Sequence, residues 1–466
     1  MHHLSDECGY IIYYILYIEI TSDMDRVQLA LQNATQTHAL EIGSGVLAKV
    51  PAVFKSQFPH SKAVVVAHSA TWKVAGEQVN AVLCDSGITV ESPIIFRDAD
   101  MHAEWKYIQQ LDELLSQTEA IAIAVGSGTI NDITKLCSEH QGRPYMVVAT
   151  AASMDGYVAF GASITKDGIK STYKCAAPRA VVADVDVLST APSSMTASGY
   201  ADLMAKVPAG ADWIVADILG VEPIDETPWN IVQGGLHDAL ANPEGCRCGD
   251  AQALRALAEG LMLGGFAMQA YPRSSRPASG AEHQISHMLN MDHFVMSNGE
   301  APSHGFQVSI GTIVSLFFYE QLLQTDFSQL DIDALVSRWP SLEEQKAVSM
   351  QMFADSDFPA FAAGEIEAKY SSPMELRQHF MTMRDRQDEL KSRLRAQLIS
   401  VDEAIEKLKA VGAPTHPRDI CLSAEQMRDT IIRSQQIRRR YTIFDVAERM
   451  GKMQEWTDLL MITRFA

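Results

Sequence analysis

Positive charge is in short supply in this chain. Its 38 lysines and arginines are outnumbered by 58 aspartates and glutamates, giving a net charge of −20. Nucleic acid and anionic membranes need clustered cations, so neither is expected as a partner. A phosphorylated small molecule would have to be held by local donors, because the field of the whole molecule repels it. Cysteine is scarce as well: seven residues, at positions 8, 84, 137, 175, 246, 248 and 421. An odd, scattered set is no disulfide framework and suits a reducing cytoplasm. Cys246 and Cys248 lack the partner spacing of a zinc site. Long apolar runs are missing from the N-terminal segment too. The ten residues Gly9 to Ile18, GYIIYYILYI, are too few to span a bilayer as a helix. No cationic stretch precedes them and no small-residue cleavage site follows, so a secretory signal is not expected. Residues 1–23 read as a dispensable, β-prone extension, with the folded protein starting near Met24.

What is present is an ordinary globular composition, 47% hydrophobic and 21% charged over 466 residues, enough for two domains with a sizeable core. Short apolar runs recur: Ala63–Ala67, Pro93–Phe96, Ala120–Val125, Tyr145–Ala149 and Ala180–Asp184. Separated by helical stretches, such runs predict a parallel sheet buried on both faces. Beyond Pro192 the strand signals stop and long amphipathic patterns take over, as in 251–269 and 385–411. The expected architecture is a dinucleotide-binding α/β domain over 24–190, then an all-α domain over 191–466 that binds metal and substrate.

Two turns follow predicted strands. Gly126-Ser127-Gly128-Thr129 opens a helix near Ile130, where free N–H groups and the helix dipole suit a pyrophosphate. It is not Gly-x-Gly-x-x-Gly, and an ordinary strand-to-helix turn would read the same way. Thr150-Ala151-Ala152-Ser153-Met154-Asp155-Gly156 follows the next strand, at the position of a ligand crevice. Asp155 there is equally a substrate contact or a turn cap. Asp202, His283 and His304 supply a carboxylate and two imidazoles, a set suited to a divalent transition metal with a position open for substrate. His287 stands four residues after His283, on the same helical face. Taken singly, Asp202 reads as an i,i+4 partner of Lys206, and either histidine as a core residue.

In order along the chain, GSGTIND, TAASMDG, GYADLMAK, SRPASGAEHQISH and SHG resemble the sn-glycerol-1-phosphate dehydrogenases, in the bacterial branch often associated with arabinose operons. These belong to the superfamily of iron-type alcohol dehydrogenases and dehydroquinate synthases. The resemblance runs from about Leu40 to the C-terminus and includes IRRRYT at 437–442. It implies that Gly126, Ser127, Gly128, Thr129 and Ile130 cradle the pyrophosphate of NAD or NADP. Thr150, Ala151, Ala152 and Ser153 would line the nicotinamide. Asp202, His283 and His304 would hold one divalent ion, zinc or nickel with iron also acceptable. Asp155, Asp202 and His287 would face a small phosphorylated substrate, with His287 and Asp202 catalytic, and the protein would be a cytoplasmic homodimer serving phospholipid metabolism. Two positions depart from the family. His68 stands where an Asp commonly meets the adenosine ribose, so strict NAD preference is not expected. Ala159 replaces a Ser near the nicotinamide. Arg273 and Arg276, just before the metal helix, are the weaker candidates for the substrate phosphate, with fixing the loop as the other reading of Arg276. An unphosphorylated polyol dehydrogenase is the main alternative activity; a dehydroquinate synthase-like lyase is a further one, although that family usually has Glu where Asp202 stands.

Overall fold

The computed structural model describes residues 26–166 and 169–466. The run Gly9–Ile18 and the expected start at Met24 lie outside the described residues. Strands β1 (Ala39–Gly43), β2 (Ala63–His68), β3 (Ile94–Phe96), β4 (Ile121–Gly126), β5 (Met146–Ala149) and β8 (Ala180–Asp184) form one parallel sheet in the order β1-β8-β5-β4-β2-β3. The four inner strands are buried almost throughout, whereas edge strands β1 and β3 are largely half-buried. That pattern is why the inner strands are continuous Val, Ile and Ala runs. Alternate residues serve opposite faces. Val65, Ile123, Val148 and Val182 join one core; Val64, Ala122, Val147 and Val181 join the other. An antiparallel pair, β6 (Ala162–Lys166) with β7 (Ile169–Tyr173), stands apart from the sheet. Its sequence carries no apolar run, so it escaped the sequence reading.

After β8 every described element is helical. The helices that build or support the site are α1 (Gly128–His140), α2 (Ser193–Met204), α3 (Lys206–Ile218), α4 (Ala251–Ala270), α5 (Ala281–Met291), α6 (His304–Gln324), α7 (Pro359–Lys369) and α8 (Ala424–Ser434). The core on the Val64 face of the sheet continues without a break into these helices, through Leu261, Phe266, Ile310 and Phe318. Helix α6 is long and apolar enough to cross a membrane, but it is mostly buried inside the fold and acts as the central core helix. Around it, glycines permit close approach. A Cβ on Gly305 would overlap the Ser198 carbonyl, and one on Gly199 the Ala152 carbonyl. These contacts draw the start of α6 onto α2, and α2 onto the loop after β5.

Candidate functional site

The sheet creates the first half of the site. β2 leads outward to β3, while its neighbour β4 leads the other way to β5, so the chain reverses direction between β2 and β4. Crevices at such switch points, beyond the carboxyl ends of the strands, are where parallel sheets take nucleotides. Gly126-Ser127-Gly128 turns there from β4 into α1. Ser127, the N-cap, places no side-chain hydrogen bond on the helix, so its oxygen does not occupy the N-terminus. A Cβ at Gly126 would stand 2.6 Å from Ile130 Cβ, so glycine keeps this turn tight. Thr71 Oγ donates to the Val125 carbonyl at 2.8 Å, and the Thr150 N–H to the Gly126 carbonyl at 3.2 Å, tying the neighbouring loops to the turn. Ile130, Ala151 and Ala152 are buried, so main chain is what these positions offer a ligand. Thr150 and Ser153 are also mostly buried. Ala159 packs with Met268 and Ala278, and its carbonyl accepts from Lys135 Nζ at 3.0 Å. His68 closes β2 as the N-cap of a short helix. Its Nδ1 accepts the Ala70 N–H at 3.2 Å, and its Nε2 meets the Asp98 carbonyl at 3.0 Å.

The second half is built from side chains. Asp202 lies in the last turn of α2, His283 in the first turn of α5, and His304 opens α6. Their ligand atoms lie within 4.8 Å of one another. His283 Nδ1 is 2.8 Å from Glu282 Oε1, a contact that orients the ring. Its Nε2 faces Asp202 Oδ1 at 3.7 Å. His304 Nδ1 meets Ser286 Oγ at 3.2 Å, and that hydroxyl donates onward to Gln307 Oε1 at 2.8 Å. Burial, then the Lys206 charge, pushes the His283 pKa down to about 4, so the ring is neutral at physiological pH. Lone pairs converging on a carboxylate need a cation among them, and two imidazoles with one carboxylate fit a divalent ion.

Lys206 makes this arrangement possible. The sequence shows it only as an i,i+4 partner of Asp202. In the fold it is fully buried between two carboxylates, 2.8 Å from Asp202 Oδ1 and 2.8 Å from Asp155 Oδ2. Burial works against its charge, but Asp155 and Asp202 outweigh it and hold its pKa above the usual lysine range. Burial likewise works against the Asp202 charge; Lys206, then His304 and His283, hold that carboxyl well below the usual range. Asp155 donates its N–H to Asp202 Oδ2 at 3.0 Å, joining the loop after β5 to the three-donor cluster. His287, one turn beyond His283, is held neutral first by burial, then by Arg438, His283 and His304. Behind His283, Glu282 and Asp212 are both fully buried. Burial raises both carboxyls, and the facing Glu282 charge adds to the rise at Asp212. Asp212 accepts the Tyr319 hydroxyl at 2.6 Å and the Ala281 N–H at 2.7 Å, fixing the start of α5. Nothing in the residue pattern marked Asp212 or Ser286; for Glu282, its place beside His283 was the available signal.

The structure favours the structural reading of Arg276, because its side chain is fully buried and bonded within the fold. It donates to the Tyr441 carbonyl at 2.8 Å and the Asp212 carbonyl at 3.0 Å, and its Nε lies 3.3 Å from Glu222. Arg273 is exposed and lies over the Tyr271 ring, 5.6 Å from its centroid.

Residues 41–192 match the family described as iron-containing alcohol dehydrogenase. The fold is similar to that of the glycerol dehydrogenase of Schizosaccharomyces pombe, with a TM-score of 0.57 at 15% identity, covering 93% of this chain and 94% of that one. The protein is 33% identical over 291 residues to the glycerol-1-phosphate dehydrogenase [NAD(P)+] of Halalkalibacterium halodurans, covering 60% of this chain and 70% of that one. It is 31% identical over 373 residues to the enzyme of the same name from Bacillus subtilis, covering 77% and 93%. These likenesses define the class, a metal-dependent NAD(P) oxidoreductase. The chain belongs to the glycerol-1-phosphate dehydrogenase branch of the iron-containing alcohol dehydrogenase family.

Proposed function

We propose that the protein interconverts sn-glycerol 1-phosphate and dihydroxyacetone phosphate with NAD(H) or NADP(H), using one divalent ion, zinc or nickel, held by Asp202, His283 and His304. The observation that carries this reading is the convergence of the Asp202, His283 and His304 ligand atoms within 4.8 Å of one another, beside the loop that ends β5. When bound, the ion supplies Lewis acidity to the oxygen on substrate C2, and the nicotinamide supplies the hydride acceptor or donor.

The chain's own residues do the rest. Glu282 holds His283 in the tautomer that presents Nε2, and Lys206 keeps Asp202 ionised. The N-terminus of α1 faces the pyrophosphate with Gly126, Ser127, Gly128, Thr129 and Ile130, while Thr150, Ala151, Ala152, Ser153 and Ala159 border the nicotinamide. Asp155 orients a substrate hydroxyl, and its bond to Lys206 fixes it there. His287, neutral and one turn from His283, moves the proton that leaves or joins the C2 hydroxyl. His68 stands at the ribose end of the crevice. We place the nucleotide-binding domain at 24–190 and the metal- and substrate-binding domain at 191–466. A cytoplasmic homodimer is the assembly supported by the family resemblance.

The test is substrate profiling of the purified, metal-loaded protein with NADH and NADPH. Strong preference for dihydroxyacetone phosphate over dihydroxyacetone is expected. Equal use of the two would instead support a polyol dehydrogenase, and phosphate release without net cofactor turnover would support the lyase.

A further inference from the structure

With Arg276 consumed by the fold, a chain of net charge −20 still needs a cation for a phosphorylated substrate. The segment 437–442 supplies a candidate, because it runs alongside α5. Ile437 packs in one cluster with Met288, the residue after His287. The Arg440 carbonyl accepts from Gln284 Nε2 at 3.4 Å, and Thr442 Oγ donates to Gln284 Oε1 at 3.3 Å, beside His283. This register sets residue 438 level with the turn of α5 that carries His287.

The backbone at Arg438 is extended, with φ −146° and ψ 135°, so neighbouring side chains take opposite sides. Arg439 turns away to Glu365 on α7, with Nη2 2.5 Å from Oε1. Arg440 turns towards the start of α5 and is fully committed. Its Nη1 donates to the Ser279 carbonyl at 2.6 Å and hydroxyl at 2.7 Å, and its Nη2 to the Ser275 hydroxyl at 2.9 Å. Arg438 takes the side opposite Arg439. It is exposed, and no described residue forms a hydrogen bond or ion pair with its guanidinium; Glu365, which influences its charge, is already held by Arg439. After burial, Arg438 is the largest influence on the ionisation of His287.

We infer that Arg438 is the phosphate-binding residue of the substrate site, holding the phosphate monoester beside His287 while the three-donor cluster faces the other end of the substrate. This rests on the reading under Proposed function and deepens it. A planar guanidinium with unspent donors suits two phosphate oxygens at once; Arg439 is turned away to Glu365, and the bonds of Arg440 to Ser275 and Ser279 keep it from the role.

The experiment is calorimetric titration of inorganic phosphate into the metal-loaded protein, as wild type, Arg438→Ala, Arg438→Lys and Arg439→Ala. Metal content and melting temperature of each variant check the fold. Arg438→Ala should weaken phosphate binding by about 10–100-fold, the range for hydrogen bonds to a charged group. Arg438→Lys should recover part of that loss, and Arg439→Ala should bind as the wild type does. In a kinetic arm, Arg438→Ala should raise KM for dihydroxyacetone phosphate far more than it lowers kcat, and so reduce discrimination against dihydroxyacetone. Three results would overturn the assignment: wild-type phosphate affinity in Arg438→Ala, an equal loss in Arg439→Ala, or a wild type that binds no phosphate. A wild type that binds phosphate through Arg438 but does not reduce dihydroxyacetone phosphate would leave the subsite standing and remove the proposed activity.

Discussion

The two halves of this protein make their parts of the site from different materials. The sheet half offers main chain: a tight glycine turn, a helix N-terminus and loops of small buried residues. The helical half offers charged and ionisable side chains, most of them buried and linked to one another by hydrogen bonds or ion pairs. Lys206 lies between Asp155 and Asp202, Glu282 orients His283, and Asp212 braces the start of α5. A main-chain site needs little beyond its fold. A site of buried charges is interdependent, so removing one member exposes the others to the full cost of desolvation. The contrast teaches that side-chain deletions should be severe in the helical half and mild in the crevice.

The sharpest way to break that contrast is Lys206→Met. It leaves Asp155 and Asp202 facing each other without their cation, and the metal-free protein should lose about 3–5 kcal/mol, with turnover collapsing. Adding divalent metal should restore part of the melting temperature, because the ion replaces the missing positive charge. If denaturant melts show the variant within 1 kcal/mol of wild type, an estimate at the scale of exposed ion pairs, the interdependence is wrong.

His287→Ala comes next. It should keep its metal and lose roughly 10²-fold in kcat, the scale of a general acid–base group. Metal analysis separates the roles, since loss of the ion would make His287 a ligand.

In the crevice the effects shrink. NADPH should serve within about tenfold of NADH, or about 1.4 kcal/mol. His68→Asp should shift preference towards NADH while preserving the cap on the Ala70 N–H, because Asp is a good N-cap. Strict NADH use by the wild type, unchanged in the variant, would move residue 68 away from the ribose.

The smallest effect is on pH dependence. Burial, then Glu282, raises the Asp212 pKa to about 7, above its unfolded value. Its contribution to stability is therefore complete below about pH 4 and lost as pH rises through 7. Between pH 6.5 and 8 the metal-free protein should lose on the order of 1 kcal/mol from this group. Thermal melts across that range check the slope, and Asp212→Asn should reduce it, leaving the share that comes from Glu282.

How far the sequence could be read follows the same contrast. The inner strands announced themselves because a strand buried on both faces must be apolar throughout. Edge strand β1, with Glu41 in its middle, and the mixed-polarity pair β6 and β7 did not. Asp202, His283 and His304 were legible as a donor set, because metal chemistry restricts residue types. Their neighbours were not. Lys206 looks like any helical i,i+4 partner until α2 and the loop after β5 close over it, and Arg276 looks like a ligand until the Tyr441 and Asp212 carbonyls take its donors. Partners 64 and 165 positions apart in the chain leave no local trace.

The central claim is that Asp202, His283 and His304 hold one divalent ion. Its most direct test is metal content per chain, by elemental analysis, for the wild type, His283→Ala and His304→Ala after identical metal loading and dialysis, with circular dichroism to confirm folding. The account predicts one ion per wild-type chain, almost none on either folded variant, and no turnover by either. Stoichiometric metal with wild-type activity in either variant would contradict it.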